Sequence, residues 1–150
     1  MYVFDIEANG LYDAADTIHC IVIRHVKNKN DRHIFIGMPE VPKALQFIQS
    51  QPVMIGHNVI QYDFPLLEKL FNFKYNGRIV DTLVMSRMLH PDRVTPAKAF
   101  ADVAAKRAAG IPATAPGPHS VASWGYTLGL GKIDHEDWST FSVEMLQRCM

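Results

Sequence analysis

Two carboxylates stand two residues apart near the start of the chain, Asp5 and Glu7 in the run M-Y-V-F-D-I-E-A-N-G-L. The apolar residues 1–4 read as a strand, and side chains along a strand alternate between its faces, so Asp5 and Glu7 point the same way, roughly 6 to 7 Å apart. Like charges at that spacing ask for positive charge between them, and oxygen-only ligands suit Mg²⁺ or Mn²⁺ rather than Zn²⁺. A strand that simply ends in solvated acids satisfies the same residues. A third acid, Asp63, lies in the second informative stretch, G-H-N-V-I-Q-Y-D-F-P-L-L-E-K-L-F over residues 56–71. Phe64, Leu67, Leu70 and Phe71 repeat at helical spacing, and Pro65 is tolerated only in a first turn, which puts Asp63 at the helix start. There it either caps the helix dipole or, with Asn58, faces the same cleft as Asp5 and Glu7. Asp81, before a further helical run, reads first as that helix's cap, with a role behind a metal site as the alternative.

The elements that must hold these acids follow from patterning. Asn9-Gly10 turns the chain after the first strand. Residues 18–26 (I-H-C-I-V-I-R-H-V) and 31–37 (D-R-H-I-F-I-G) are rich in β-branched residues around a polar turn at 27–30, which predicts an antiparallel meander with the first strand. A short amphipathic helix is expected from Val41, after Pro42, with Leu45 and Ile48 on its apolar face. Residues 52–56 form a short buried strand bounded by Pro52 and Gly56. Residues 83–90 form a helix that Pro91 ends, and the alanine-rich residues 97–109 favour another. Residues 111–118 hold three prolines and a glycine and read as a loop. Residues 119–129 are expected to be a short helix with Val121, Trp124 and Leu128 packed inward, and a last helix begins near Ser142.

A chain of 150 residues, 48% hydrophobic and 20% charged, fits one domain with a proper core. Its formal net charge is +0, so no general basic field draws it to nucleic acid, and a phosphate substrate must be recruited locally. Cys20 and Cys149 read as free thiols of a reducing compartment rather than a disulfide or zinc framework. No apolar run approaches the roughly 18 residues that span a bilayer, and no charged leader precedes the first strand. The expectation is a soluble, intracellular protein with no membrane partner.

Three stretches in order resemble one family. D-I-E-A-N-G-L resembles the first motif of DEDD-type 3′-to-5′ exonucleases, and N-V-I-Q-Y-D resembles their second. V-D-T-L-V-M-S-R-M-L-H-P with H-S-V-A-S-W-G-Y-T-L-G-L-G-K is similar to the proofreading domain of family A DNA polymerases from short-tailed phages. The likeness runs along the whole chain and is weakest through residues 92–118. It implies an α/β, ribonuclease H-like fold, with a central mixed sheet flanked by helices and Asp5 and Glu7 on its first strand. It further implies that Asp5, Glu7 and Asp63 hold two divalent cations, Mg²⁺ or Mn²⁺, for hydrolysis of the terminal phosphodiester of a DNA 3′ end. By the same resemblance Leu11 matches a wedge against the terminal base, and Asn58 a contact to the substrate end, with Tyr62 and His57 beside it. Leu11 as a core residue and Asn58 as a turn former are the alternatives. His57 reads as a structural or phosphate-side neighbour rather than a base.

The chain departs from the family in its third motif, Tyr-x-x-x-Asp. V-E-M-L-Q-R-C-M resembles the run leading into it, which would put the fourth acid two residues past Met150 and Arg148 where the water-orienting tyrosine stands. The expectation is one exonuclease domain ending before that motif, weakly active as it stands. Two further readings stay open: a catalytically inert module that binds 3′ ends or packs against a polymerase domain, and an RNA-trimming nuclease, since discrimination at the 2′ position cannot be placed.

Overall fold

The computed structural model describes residues 1–94, 117–129 and 137–149. They fall into two compact units, one of Met1–Thr82 with Ile133–Met150 and the other of Leu83–Lys132.

The first unit is built on a five-stranded sheet. Its strands are β1 (Tyr2–Ala8), β2 (Ile18–His25), β3 (Arg32–Ile36), β4 (Val53–Gly56) and β5 (Arg78–Asp81), in the spatial order β3-β2-β1-β4-β5. The meander β1-β2-β3 is antiparallel, while β4 and β5 join β1 in parallel through helical crossovers. The sheet is therefore mixed. Two helices of this unit supply the crossovers, α1 (Val41–Ser50) between β3 and β4, and α2 (Asp63–Phe71) between β4 and β5. A 3₁₀ turn at Met38–Glu40 leads into α1.

The pleat of β1 sorts its side chains. Phe4, Ile6 and Ala8 go to the core, packed with Ile21 and Ile23 of β2 and with buried residues of α1 and α2, among them Ile48 and Leu66. Each fully buried aliphatic side chain of this kind stabilises the fold by about 1.5–3 kcal/mol. Asp5 and Glu7 alternate with that set and stand opposite Val22 and Cys20 of β2. The strand runs to Ala8, not only to Phe4, so both acids lie within it; a register shift between Glu7 and Ala8 marks its end. Pairing with β4 covers only Tyr2 and Val3. β4 ends at Gly56, just past its last pair with β1, so β1 runs on alone on that side to Ala8 at the carboxyl end of the parallel strands, where open α/β sheets bind ligands.

Gly56 stands at that end because there is no room for a side chain. A Cβ there would clash with Val59 Cγ1 and lie 3.1 Å from the Phe4 carbonyl, so a glycine fits where β4 meets its own following loop and β1. Residues 78–81 form a full sheet strand rather than a lead into the next helix. The final helix of the unit, at Val143–Cys149, stands against β1 and β2, and Met145 is fully buried there. Its start is capped as the sequence suggests, Ser142 Oγ accepting from the Met145 N–H at 3.2 Å.

In the second unit, the α3 helix (Thr82–Leu89) continues from the end of β5, and α4 covers Val121–Leu128, which makes the helix at Val143–Cys149 α5. Ser120 caps α4 through the Ser123 N–H. The expected inward packing of α4 is corrected for Val121 and Leu128, which are exposed, and the fully buried residue is Ser123. Trp124 is half-buried, its Nε1 donating to Ser86 Oγ at 2.8 Å and its ring centroid 3.7 Å from the Arg93 guanidinium, which also bonds the Ser123 carbonyl and the Thr127 hydroxyl. The helix expected at 97–109 and most of the loop at 111–118 lie outside the described residues. Among the described residues no helix is long and apolar enough to cross a membrane.

Candidate functional site

Asp63 is the first residue of α2, and it does not act as that helix's cap: the capping position belongs to Tyr62, with no side-chain bond to the helix N–H groups. Its side chain is instead buried, and Oδ1 has no hydrogen-bond partner. Burial first, and the neighbouring Asp5 carboxylate second, push the Asp63 carboxyl well above the ordinary range. Hydrogen bonds from its own N–H and from that of Ile6 only partly offset this, and Asp81 adds a further like charge. The bond to Ile6 uses the edge of β1 that β4 leaves uncovered.

Tyr62 reports on the same charges. Its phenol is held above its usual range by burial, then by Asp63, Glu7 and Asp5 in turn. One hydroxyl therefore feels all three acids, which come from β1 and the mouth of α2. That hydroxyl donates to the Gly10 carbonyl at 2.6 Å, tying the loop after β1 to α2.

Asp81, at the end of β5, does more than open α3. Its two oxygens accept from the Asn58 N–H at 2.9 Å and the Ile60 N–H at 3.1 Å, so it clamps the loop between β4 and α2. Asn58 is held there with φ 65°, a left-handed conformation that asparagine tolerates better than most residues, and its carbonyl accepts from Gln61 and Tyr62. The turn-forming role of Asn58 is thus observed. His57 Nδ1 is 3.0 Å from Thr82 Oγ1, which in turn donates to the Gly56 carbonyl at 3.1 Å. With the threonine proton so used, His57 Nδ1 is the donor, and the imidazole is fixed as part of the scaffold.

A cavity of about 480 Å³ opens beside Glu7, lined also by Asn9, Leu11, Tyr62 and Trp138. Leu11 is 82% exposed, which removes the core alternative for it. Trp138 was not singled out from the sequence; its only signal there is one aromatic ring in an acidic tract, D-H-E-D-W. Buried His19 of β2 holds it, Nε2 donating to the Trp138 carbonyl at 2.9 Å. Asp5 borders a separate depression of about 320 Å³ on the same sheet face, with Val3, Val22, Arg24 and Ile55. The Arg148 side chain lies outside the described residues.

Among the described residues, no group of three or more His, Cys, Asp or Glu side chains is arranged to hold a metal ion as it stands. The donor chemistry nonetheless fits a hard divalent cation. Asp63 Oδ1 is buried without a partner, its neighbour is another carboxylate, and every candidate ligand is oxygen.

Comparison with known proteins agrees with this architecture. The RNase_H superfamily model matches residues 2–104. The chain therefore belongs to the RNase_H superfamily, and its mixed five-stranded sheet with flanking helices is a ribonuclease H-like α/β fold. More particularly, it is 28% identical over 148 residues to the DNA-directed DNA polymerase of Escherichia phage T7, and 28% identical over 151 residues to that of Enterobacteria phage T3. Each match covers 91% of this chain and 20% of the relative, so the chain spans about a fifth of the length of those polymerases. These matches support the resemblance to the exonuclease region of phage polymerases. Among solved structures, the apo form of a nuclease superposes with a TM-score of 0.60 at 14% identity, over 99% of this chain and 63% of the other. Exonuclease I superposes with a TM-score of 0.52 at 10% identity, over 98% and 39%. At those identities the likeness concerns the fold.

Proposed function

We propose that this chain is a metal-dependent 3′-to-5′ exonuclease domain that removes nucleotides from DNA 3′ ends, in the service of a replicative polymerase. The observation that carries the reading is the Asp63 carboxylate, buried beside Asp5 with an unpartnered oxygen at the carboxyl end of the parallel strands. A buried charge facing a like charge is costly unless a cation or proton answers it.

Asp5, Glu7 and Asp63 would hold two divalent cations, Mg²⁺ or Mn²⁺. When bound, they supply the positive charge and Lewis acidity that phosphodiester hydrolysis needs. The remaining residues bind and orient. Leu11 and Trp138 offer apolar surface to a terminal base next to Glu7, and such contacts accept any base, as sequence-blind trimming requires. Tyr62, through its hydroxyl, fixes the Gly10 carbonyl and with it the wall that carries Leu11. Asp81 holds the Asn58 loop, which would meet the substrate end, and His57 stiffens it from behind.

Calorimetric titration with Mn²⁺ and a gel assay on single-stranded DNA test this together. Manganese binding that disappears in Asp5→Ala and Asp63→Asn, with Mn²⁺-dependent shortening of the DNA from its 3′ end, is the expected result. Binding of 3′ ends that ignores both chelator and Asp5→Ala identifies an inert binding module instead. Shortening of RNA in preference to DNA reassigns the substrate.

A further inference from the structure

The loop after β1 is braced far more heavily than a surface connection needs. At its neck, Asn9 bonds the far side four times: its N–H to the Thr17 carbonyl at 3.1 Å, its Oδ1 from the Asp16 and Thr17 N–H groups, and its Nδ2 to Asp16 Oδ1 at 2.7 Å. At its tip, the Ala14 and Ala15 N–H groups both bond the Leu11 carbonyl, at 3.0 and 2.8 Å, which makes residues 11–15 a single helical turn. The carbonyls at the end of so short a helix have no partners of their own. Lys69 of α2 supplies them: its Nζ donates to the carbonyls of Tyr12 at 2.7 Å, Asp13 at 3.1 Å and Ala15 at 2.8 Å, and lies 5.3 Å from the Tyr12 ring centroid.

All three ammonium protons are thus spent on one turn. An ordinary surface lysine keeps its head in water and its rotamers free, so this one gives up freedom to fix something. What it fixes is apolar and turned outward: Leu11 is 82% and Tyr12 41% exposed, and Leu11 stands on the wall of the cavity that holds Glu7, Tyr62 and Trp138. We propose that Lys69 is a positioning residue that locks the Leu11 turn as a preformed wedge for the 3′-terminal base, acting through Leu11 and not through any contact with DNA. This rests on the exonuclease reading and deepens it. An ammonium already saturated by carbonyls has no proton left for phosphate, and a wedge ordered in advance spares the complex the cost of ordering it on binding.

The test is a double-mutant cycle on binding of a single-stranded DNA carrying 2-aminopurine at its 3′ end. Leu11→Ala, a change at an exposed side chain, weakens binding about tenfold, in line with the loss of one base contact. Lys69→Met weakens it by a similar factor, and the double variant loses no more than Leu11→Ala alone, because a residue that acts only through another adds nothing once that other is gone. Amide exchange at Ala14 and Ala15 quickens at least tenfold in Lys69→Met, while Mn²⁺ binding by calorimetry stays at the wild-type value. Losses that multiply in the double variant overturn the proposal and make Lys69 an independent DNA contact. Wild-type binding and exchange in Lys69→Met overturn it as well, leaving the exonuclease reading intact. Failure of the wild-type protein to bind the probe sinks the exonuclease reading and the wedge with it.

Discussion

At the scale of single residues, the site is governed by like-charged acids brought close to one another. Asp63 is the clearest case, since its burial and its neighbour Asp5 both oppose ionisation. Asp63→Asn should therefore raise the stability of the chelator-treated protein, by on the order of 1 kcal/mol, and chemical denaturation will show it. The same variant should lose any stabilisation by Mn²⁺. Asp81 behaves oppositely, because its oxygens answer two backbone donors. Asp81→Ala leaves the Asn58 and Ile60 N–H groups stranded and should cost about 2 kcal/mol, with Asp81→Asn costing less because it keeps one acceptor. Asp16 gives a pH effect. Its carboxyl is held below the usual range by the Thr17 hydroxyl first and the Asn9 amide second, with Lys69 adding to it. A depressed carboxyl contributes its stabilisation above the unfolded value, near ~4, and loses it as the pH falls through the folded value. Acidification below about pH 4 should thus release the neck of the loop, seen as faster exchange of the Asp16 and Thr17 amides in NMR spectra.

At the scale of elements, the decisive event is the end of β4 at Gly56, which leaves β1 to run on past it to Ala8. Gly56 lies so close to Val59 and the Phe4 carbonyl that no side chain fits there. Gly56→Ala should destabilise the unit by about 1–3 kcal/mol through overpacking, with a melting curve as the measure, and should disturb the Asn58 loop that follows. Much of this layer was legible in the sequence. The meander, the helix after Pro42, the short strand ending at Gly56 and the helix opening at Asp63 all announce themselves through alternation, helical spacing and proline position. The rest was not legible for physical reasons. Residues 78–81 are too short for a period to separate strand from lead-in, and only their parallel pairing with β4 makes them a strand. The α4 helix reads as apolar inward because hydrophobicity is all that a sequence pattern scores, whereas Ser123 is the residue buried and Trp124 meets Ser86 and Arg93, both distant in sequence. Trp138 and Lys69 carried no motif at all; their roles exist only through the long-range bonds to His19 and to the turn at residues 11–15.

At the scale of the whole molecule, a formal net charge of +0 gives no broad attraction for a polyanion. On the proposed exonuclease reading, affinity for nucleic acid is concentrated where the acids gather, and binding should follow divalent-ion concentration more steeply than it follows monovalent salt. The carboxyl pair that makes the ion-free protein less stable is the same pair that would make the ion-bound protein more so.

The hydrogen bond from the Ile6 N–H to Asp63 has one more use. It couples a backbone amide in the middle of the sheet directly to the ionisation of the carboxylate. Ile6 is thus a natural gauge: its amide proton resonance should move as Mg²⁺, a diamagnetic ion, is titrated into the sample, reporting the electrostatic state of the cleft through the backbone.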